Sequence, residues 1–148
     1  IEDNIALPNL DFLAANGWLK HKEIEQRSKD IFGKLRIKAP GIETAVGTLS
    51  GGNQQKVVLA KWLVRNVRLL ILDEPTRGID VGAKQEIYNL ITELSKQGIA
   101  ILMISSDMPE VLSMSHRIAV VARGKIAGIL SHEEATQDKV MKMIVEAN

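Results

Sequence analysis

From residue 49 onward the apolar positions of the chain follow two periods in turn. Residues 67–72 and 99–104 are short continuous apolar runs, which predict buried strands. Between them Ala83, Ile87, Leu90, Ile91 and Leu94 recur at helical spacing, with Lys84, Glu86, Asn89 and Glu93 on the opposite face. Gln97 and Gly98 end that helix. An earlier helix is predicted over residues 52–64 with Ser50 as its cap. Asp107 starts another, with Pro109 in its first turn and Glu110 three residues after the cap. Residues 118–122 and 125–130 flank Arg123-Gly124, which reads as a tight hairpin turn. A last helix is predicted over residues 136–145. The first fifty residues differ. Residues 5–10 are apolar but broken by Pro8, and residues 23–35 read as a polar helix with Ile24, Ile31 and Leu35 on one side. Pro40-Gly41 closes that region.

Strands alternating with amphipathic helices predict an α/β layer built on a parallel sheet. The closing hairpin is expected to form an antiparallel edge of it. The change in composition near Thr48 predicts a helical subdomain over residues 1–48 and an α/β part over residues 49–148.

Composition narrows the classes. The chain has 148 residues, 45% hydrophobic and 25% charged, which excludes a disordered tail or a fibre. Its net charge of +1 offers no long-range attraction to nucleic acid or to an anionic membrane. With no cysteine there is no disulfide framework and no thiolate metal site. The apolar runs are too short for a membrane span, which needs about 20 residues. No charged stretch followed by an apolar one opens the chain, so no signal peptide is expected and a cytosolic setting is. Only five residues are aromatic, so the core must come mainly from Ile, Leu and Val.

Two motifs carry chemistry. Leu69-Leu70-Ile71-Leu72-Asp73-Glu74-Pro75 is a hydrophobic strand ending in two carboxylates. Ligands bind at the carboxyl edge of open α/β sheets. Neighbouring side chains on a strand face opposite ways, so Asp73 and Glu74 are expected to divide two jobs. One would hold a magnesium ion through water, the other would address an attacking water. Taken alone, a solvated acidic turn explains the string as well. The second motif is Leu49-Ser50-Gly51-Gly52-Asn53-Gln54-Gln55-Lys56. A hydroxyl and unobstructed N–H groups at a positive helix end make an anion site, and phosphate fits it. A side chain at either glycine would hold the phosphate off. A plain capped helix is an equal reading of that string in isolation.

Together and in this order, the two motifs resemble the nucleotide-binding cassettes of ABC ATPases. Residues 49–55 are similar to the signature motif and residues 69–74 to Walker B. Thr76-Arg77-Gly78-Ile79-Asp80 is similar to the D-loop, and Ile104-Ser105-Ser106-Asp107 falls at the switch-histidine loop. Gly-Gly-Asn-Gln-Gln-Lys with Pro-Thr-Arg-Gly-Ile-Asp-Val-Gly-Ala-Lys resembles the second cassette of bacterial ribose, galactose and xylose importers. The resemblance implies a partial ABC ATPase core, a parallel sheet flanked by helices, with ATP and Mg2+ as cofactors. It implies Glu74 as catalytic base, Asp73 on magnesium through water, and Asp80 in the D-loop. It implies that Ser50, Gly51, Gly52 and Asn53 serve the ATP of a partner, since cassettes in the family pair head to tail.

Asn53 stands where the family usually has Gln, and its amide can still contact phosphate. Ser106 stands where the switch histidine usually is and is too short for that contact. No Gly-x-x-x-x-Gly-Lys-Ser/Thr string occurs, so the Walker A portion is missing, residue 1 is not expected to be a natural start, and the chain alone is expected to be inactive. The absent Walker A strand is expected to leave an unpaired sheet edge open to self-association. The implied partners are a second nucleotide-binding cassette, transmembrane permease subunits and, indirectly, a periplasmic sugar-binding protein. The implied location is the cytoplasmic face of the cell membrane.

Two other classes stand beside this one: a soluble ABC-type ATPase acting on nucleic acid or the ribosome, and a non-catalytic interaction module. The translation-factor branch usually carries Asn-His-Leu-Asp after its Pro-Thr, where this chain has Arg-Gly-Ile-Asp. The near-neutral charge also disfavours a nucleic-acid partner. The remaining candidates are bland. His21, His116 and His132 lack ligand spacing, Trp62 reads as core, and Met103, Met108 and Met114 read as packing residues. Lys34, Arg36 and Lys38 alternate with apolar residues as a solvated edge would.

Overall fold

A computed structural model of the chain describes residues 1–15 and 18–147. It divides into two compact units, Ile1–Leu102 and Met103–Asn148.

The first unit opens with α1 (Glu2–Ala6), a 3-10 turn at Leu7–Asn9 and α2 (Leu10–Leu13). A short antiparallel pair follows, β1 (Ala14–Ala15) and β2 (Trp18–Leu19). The polar helix predicted from Ile24, Ile31 and Leu35 is α3 (His21–Lys34). Those three residues are buried, while Glu23–Arg27 and Glu25–Lys29 pair along the outer face one turn apart, at 3.0 and 2.6 Å. Ala6, Leu13 and Ile24 pack together. Buried Asn9 ties this region to the next helix, α4 (Gly51–Leu63): its Nδ2 donates to the carbonyls of Ile5 at 2.7 Å and Lys61 at 2.8 Å.

After α4 come β3 (Leu69–Asp73), α5 (Val81–Lys96) and β4 (Ala100–Ile104). β3 and β4 form a parallel two-stranded sheet, joined by α5 as the crossover that parallel strands need. Its pairing begins where Ala100 N–H donates to the Arg68 carbonyl at 2.9 Å. α5 buries the predicted stripe Ile87, Leu90, Ile91 and Leu94. It ends at Gln97, with Gly98 at φ 88°. β3 buries Leu70 and Leu72 and turns Leu69 and Ile71 outward, each more than half exposed.

Trp62 corrects the reading from sequence: it is 53% exposed. α4 turns inward with Gly52, Lys56, Val57, Leu59 and Ala60, and Trp62 lies with exposed Val58 one turn away on another face. With Lys56 on the covered face and Val58 and Trp62 off it, the order of polar and apolar residues in α4 did not reveal which face would be covered.

The second unit contains α6 (Met108–Met114), β5 (Arg117–Ala122), β6 (Lys125–Ser131) and α7 (Gln137–Glu146). Asp107 caps α6 by accepting from Glu110 N–H at 3.3 Å, and Thr136 caps α7 through Lys139 N–H at 3.2 Å. β5 and β6 are antiparallel, with Ile118 opposite Leu130. Their turn is Arg123-Gly124 at φ 51° and 75°, the pair of left-handed residues a two-residue hairpin requires. Among the described residues these strands pair only with each other, so the hairpin is a sheet of its own and not the expected edge of the β3–β4 sheet. Ile118, Val120, Leu130 and Val140 form the core of this unit, with Met108 and Met143 against it.

Candidate functional site

At the start of α4 the N-cap side chain is not used for capping. Ser50 is the N-cap in extended conformation (φ −60°, ψ 154°), yet its side chain caps no helix N–H. Its Oγ accepts from Asn53 Nδ2 at 2.9 Å. The first N–H groups of a helix have no intrahelical partner, so this end presents donors and a positive dipole outward.

The two glycines differ. Gly51 is exposed, and a Cβ there would meet the Ile79 Cγ2 at 3.2 Å and the Gly78 carbonyl at 3.8 Å. Gly78 and Ile79 therefore lie directly against the first turn of α4. Gly52 is buried, and a Cβ there would sit 2.6 Å from the Ala83 Cβ. It lets α4 and α5 approach closely, a packing role that its motif alone did not suggest. Gly52→Ala is expected to destabilise the chain by roughly 1–3 kcal/mol through overpacking. Gly51→Ala should cost less, and urea unfolding of both variants measures the difference.

At the end of β3, Asp73 stays on the exposed face with Leu69 and Ile71. Glu74 leaves the strand altogether at φ 46°, in the left-handed region that non-glycine residues rarely occupy. Its carbonyl accepts from Arg77 N–H at 3.1 Å, closing a turn over buried Pro75 and Thr76. The two carboxylates are thus separated by a change of backbone conformation, where simple strand alternation was expected. Strained backbone of this kind costs about 1–3 kcal/mol and clusters at functional sites. Gly78 at φ 75° continues the loop to Asp80, whose carboxylate caps α5 by accepting from Ala83 N–H at 2.9 Å.

Reading from sequence missed a charge cluster beside α4. Lys56 is on the inward face of α4 and only 5% exposed. Its ammonium donates to Glu86 Oε2 at 2.8 Å and to the Arg36 carbonyl at 3.2 Å. Lys38 donates to Glu86 Oε1 at 2.8 Å while staying exposed, so the solvated edge expected there also carries an ion pair. Lys38 and then Lys56 hold the Glu86 carboxyl down to about 2. Glu86 remains 45% exposed, so water screens the pairs and their effect is more positional than energetic. The signal that pointed here is a lysine in register with the buried stripe of α4, because a buried ammonium needs a partner.

Ser106 lies in the second unit and is exposed between β4 and α6. Its neighbour Ser105 donates to buried Glu110 Oε2 at 2.5 Å and accepts from Asp107 N–H at 3.0 Å. Ser50, Gly51, Gly52, Asn53, Asp73, Glu74 and Asp80 all belong to the first unit. Among the described residues no group of three or more His, Asp or Glu side chains is gathered to hold a metal.

The family model described as ABC transporter matches residues 2–77. The ribose import ATP-binding protein RbsA of Oceanobacillus iheyensis is 53% identical over 148 residues, which are 100% of this chain and 30% of the relative. RbsA of Lacticaseibacillus paracasei is 52% identical over 143 residues, 97% of this chain and 29% of the relative. The chain thus spans less than a third of the length of these relatives. A solved ATP-binding cassette of an ABC transporter aligns with TM-score 0.78 at 24% identity, covering 96% of this chain and 61% of that one. A bacterial ABC transporter cassette solved as a dimer aligns with TM-score 0.72 at 22% identity, over 88% of this chain and 56% of that one. These likenesses in structure agree with the α/β fold expected from the strand and helix pattern.

Proposed function

The chain belongs to the ABC transporter family, and on that premise we propose that it is part of the ATP-hydrolysing subunit driving a bacterial sugar importer. The observation that carries this reading is the open start of α4, with its uncapped donors and exposed Gly51 packed on the D-loop. It stands in a chain about half identical to ribose import ATP-binding proteins along its whole length.

In this reading residues 50–53 face the nucleotide bound to a second cassette, with the Ser50 hydroxyl and Gly51 N–H directed at its terminal phosphate. Glu74 accepts the proton of the attacking water at the chain's own nucleotide. Asp80 borders the same interface through the D-loop. Asp73 fits a magnesium ion held through water, because its single exposed carboxylate suits an ion that takes one or two carboxylates and its other ligands from water and phosphate. The metal and nucleotide supply the charge balance of phosphoryl transfer when bound. Residues 1–48 serve as the helical subdomain and residues 49–148 as part of the catalytic core. Permease subunits, with a periplasmic sugar-binding protein behind them, are the partners on the cytoplasmic face of the membrane. No described helix is long and apolar enough to cross it.

The test is reconstitution of the complete protein with its permease in vesicles, where sugar-stimulated ATP hydrolysis is expected and its absence contradicts the reading. The chain alone, without a phosphate loop, should bind Mg-ATP more weakly than micromolar by isothermal titration. Micromolar binding would mean that it holds a full phosphate site of its own.

A further inference from the structure

Both ends of the Asn53 side chain are occupied within the protein. Its Oδ1 accepts from the backbone N–H of Lys38 at 2.9 Å, and its Nδ2 donates to Ser50 Oγ at 2.9 Å. The orientation of the amide follows from chemistry. A backbone N–H can only donate, so the oxygen of Asn53 must face Lys38 and the nitrogen must face Ser50. Ser50 Oγ therefore receives a hydrogen bond from Asn53. Its own proton is left to point elsewhere, and no helix N–H competes for the oxygen. A hydroxyl in this state is a donor prepared for an acceptor outside the chain.

Lys38 sits fifteen residues away in sequence, so something must hold its N–H in place. Arg36, two residues earlier, is in the left-handed region at φ 49°, a conformation that needs support. Lys56 supplies it by donating to the Arg36 carbonyl at 3.2 Å. Glu86 on α5 joins the Lys56 and Lys38 ammonium groups, each at 2.8 Å, and so ties residues 36–38 to both helices. The run from Glu86 through Lys38 and Asn53 to Ser50 lies within the first unit and is hydrogen-bonded at each step.

We propose that Asn53 is a positioning residue that acts through Ser50, holding its hydroxyl as a phosphate donor, and that the Lys38–Glu86–Lys56 cluster keeps Asn53 in register. This rests on the reading that Ser50 serves a nucleotide on the opposite cassette. It changes the part expected of Asn53, whose amide is spent inside the chain where a direct phosphate contact was anticipated.

A double-mutant cycle on the complete protein tests it, with kcat and KM for ATP measured for Ser50→Ala, Asn53→Ala and the pair. Asn53→Ala is expected to lower kcat about 2- to 10-fold, the worth of one net hydrogen bond, with KM little changed. In the Ser50→Ala background the same substitution should cost nothing further. Glu86→Gln should give a smaller loss that disappears in that background too. Equal losses from Asn53→Ala in both backgrounds would mean that Asn53 meets the nucleotide itself, and would overturn the proposal while leaving the signature reading intact. A Ser50→Ala variant with undiminished hydrolysis would overturn the signature reading underneath it. Melting temperatures of all variants separate these results from misfolding: a kcat loss from Asn53→Ala or Glu86→Gln that follows a fall in melting temperature, and persists without Ser50, overturns the positioning role.

Discussion

Ser50→Arg in the complete protein is expected to lower ATP hydrolysis by about 10²-fold or more while leaving the fold intact. The first half follows from charge and reach. A preorganised donor aimed at developing negative charge is worth roughly 10²–10³ in rate, and this substitution removes the Ser50 hydroxyl. It also places a long side chain over Gly51, where a phosphate would have to approach the helix N–H groups. The second half follows from what Ser50 does not do. Replacing a serine that caps a helix costs about 1 kcal/mol, but the Ser50 side chain bonds no helix N–H, so most of that loss does not arise. Its position is exposed and its backbone at φ −60° and ψ 154° suits any residue. Steady-state hydrolysis and thermal melting, measured on the same preparation, check both halves. A normal rate would remove Ser50 from the nucleotide site. A collapse in melting temperature would show that its role is structural.

The second large effect is an inequality between two nucleotide sites. Glu74→Gln is expected to cost only a modest fraction of the hydrolysis rate, whereas the matching change in the second cassette should cost on the order of 10²–10⁴-fold, the contribution of a general base. The reason is the expectation from sequence that Ser106 stands where the family's switch histidine usually is. At the switch position a histidine would reach the terminal phosphate, and a serine hydroxyl cannot. On the proposed reading, a nucleotide site without that histidine is expected mainly to bind nucleotide, and the site completed by Ser50 and Gly51 to do most of the chemistry. Glu74 sits at φ 46° after the last residue of β3. Rates for both single variants of the complete protein decide the matter. Equal losses, or a larger one from Glu74→Gln, would show that Ser106 does not disable this site.

What was legible along the chain is what short-range physics controls. The helical period of Ile87, Leu90, Ile91 and Leu94, the cap at Asp107 and the Arg123-Gly124 turn each depend on a few neighbouring residues. All appear where the pattern put them. The positions of the carboxylates after β3 and of the serine and glycines opening α4 were legible for the same reason, since each group lies within one strand end or one helix turn. A phosphate loop is a contiguous string, so its non-occurrence in these 148 residues could also be read directly.

Tertiary structure alone decided which of these groups are available and what holds them. Trp62 and Lys56 share one helix, yet the tryptophan is exposed and the lysine buried, because Glu86 and the Arg36 carbonyl give the ammonium partners from other elements. Gly51 and Gly52 are identical neighbours, but only Gly52 is pressed against Ala83 of another helix. The Asn53 amide lies between Ser50 and Lys38, contacts that its motif alone did not indicate. Each of these depends on atoms that are distant in sequence and brought together by packing, and local periodicity carries no information about which distant donor or methyl group will fill a given space.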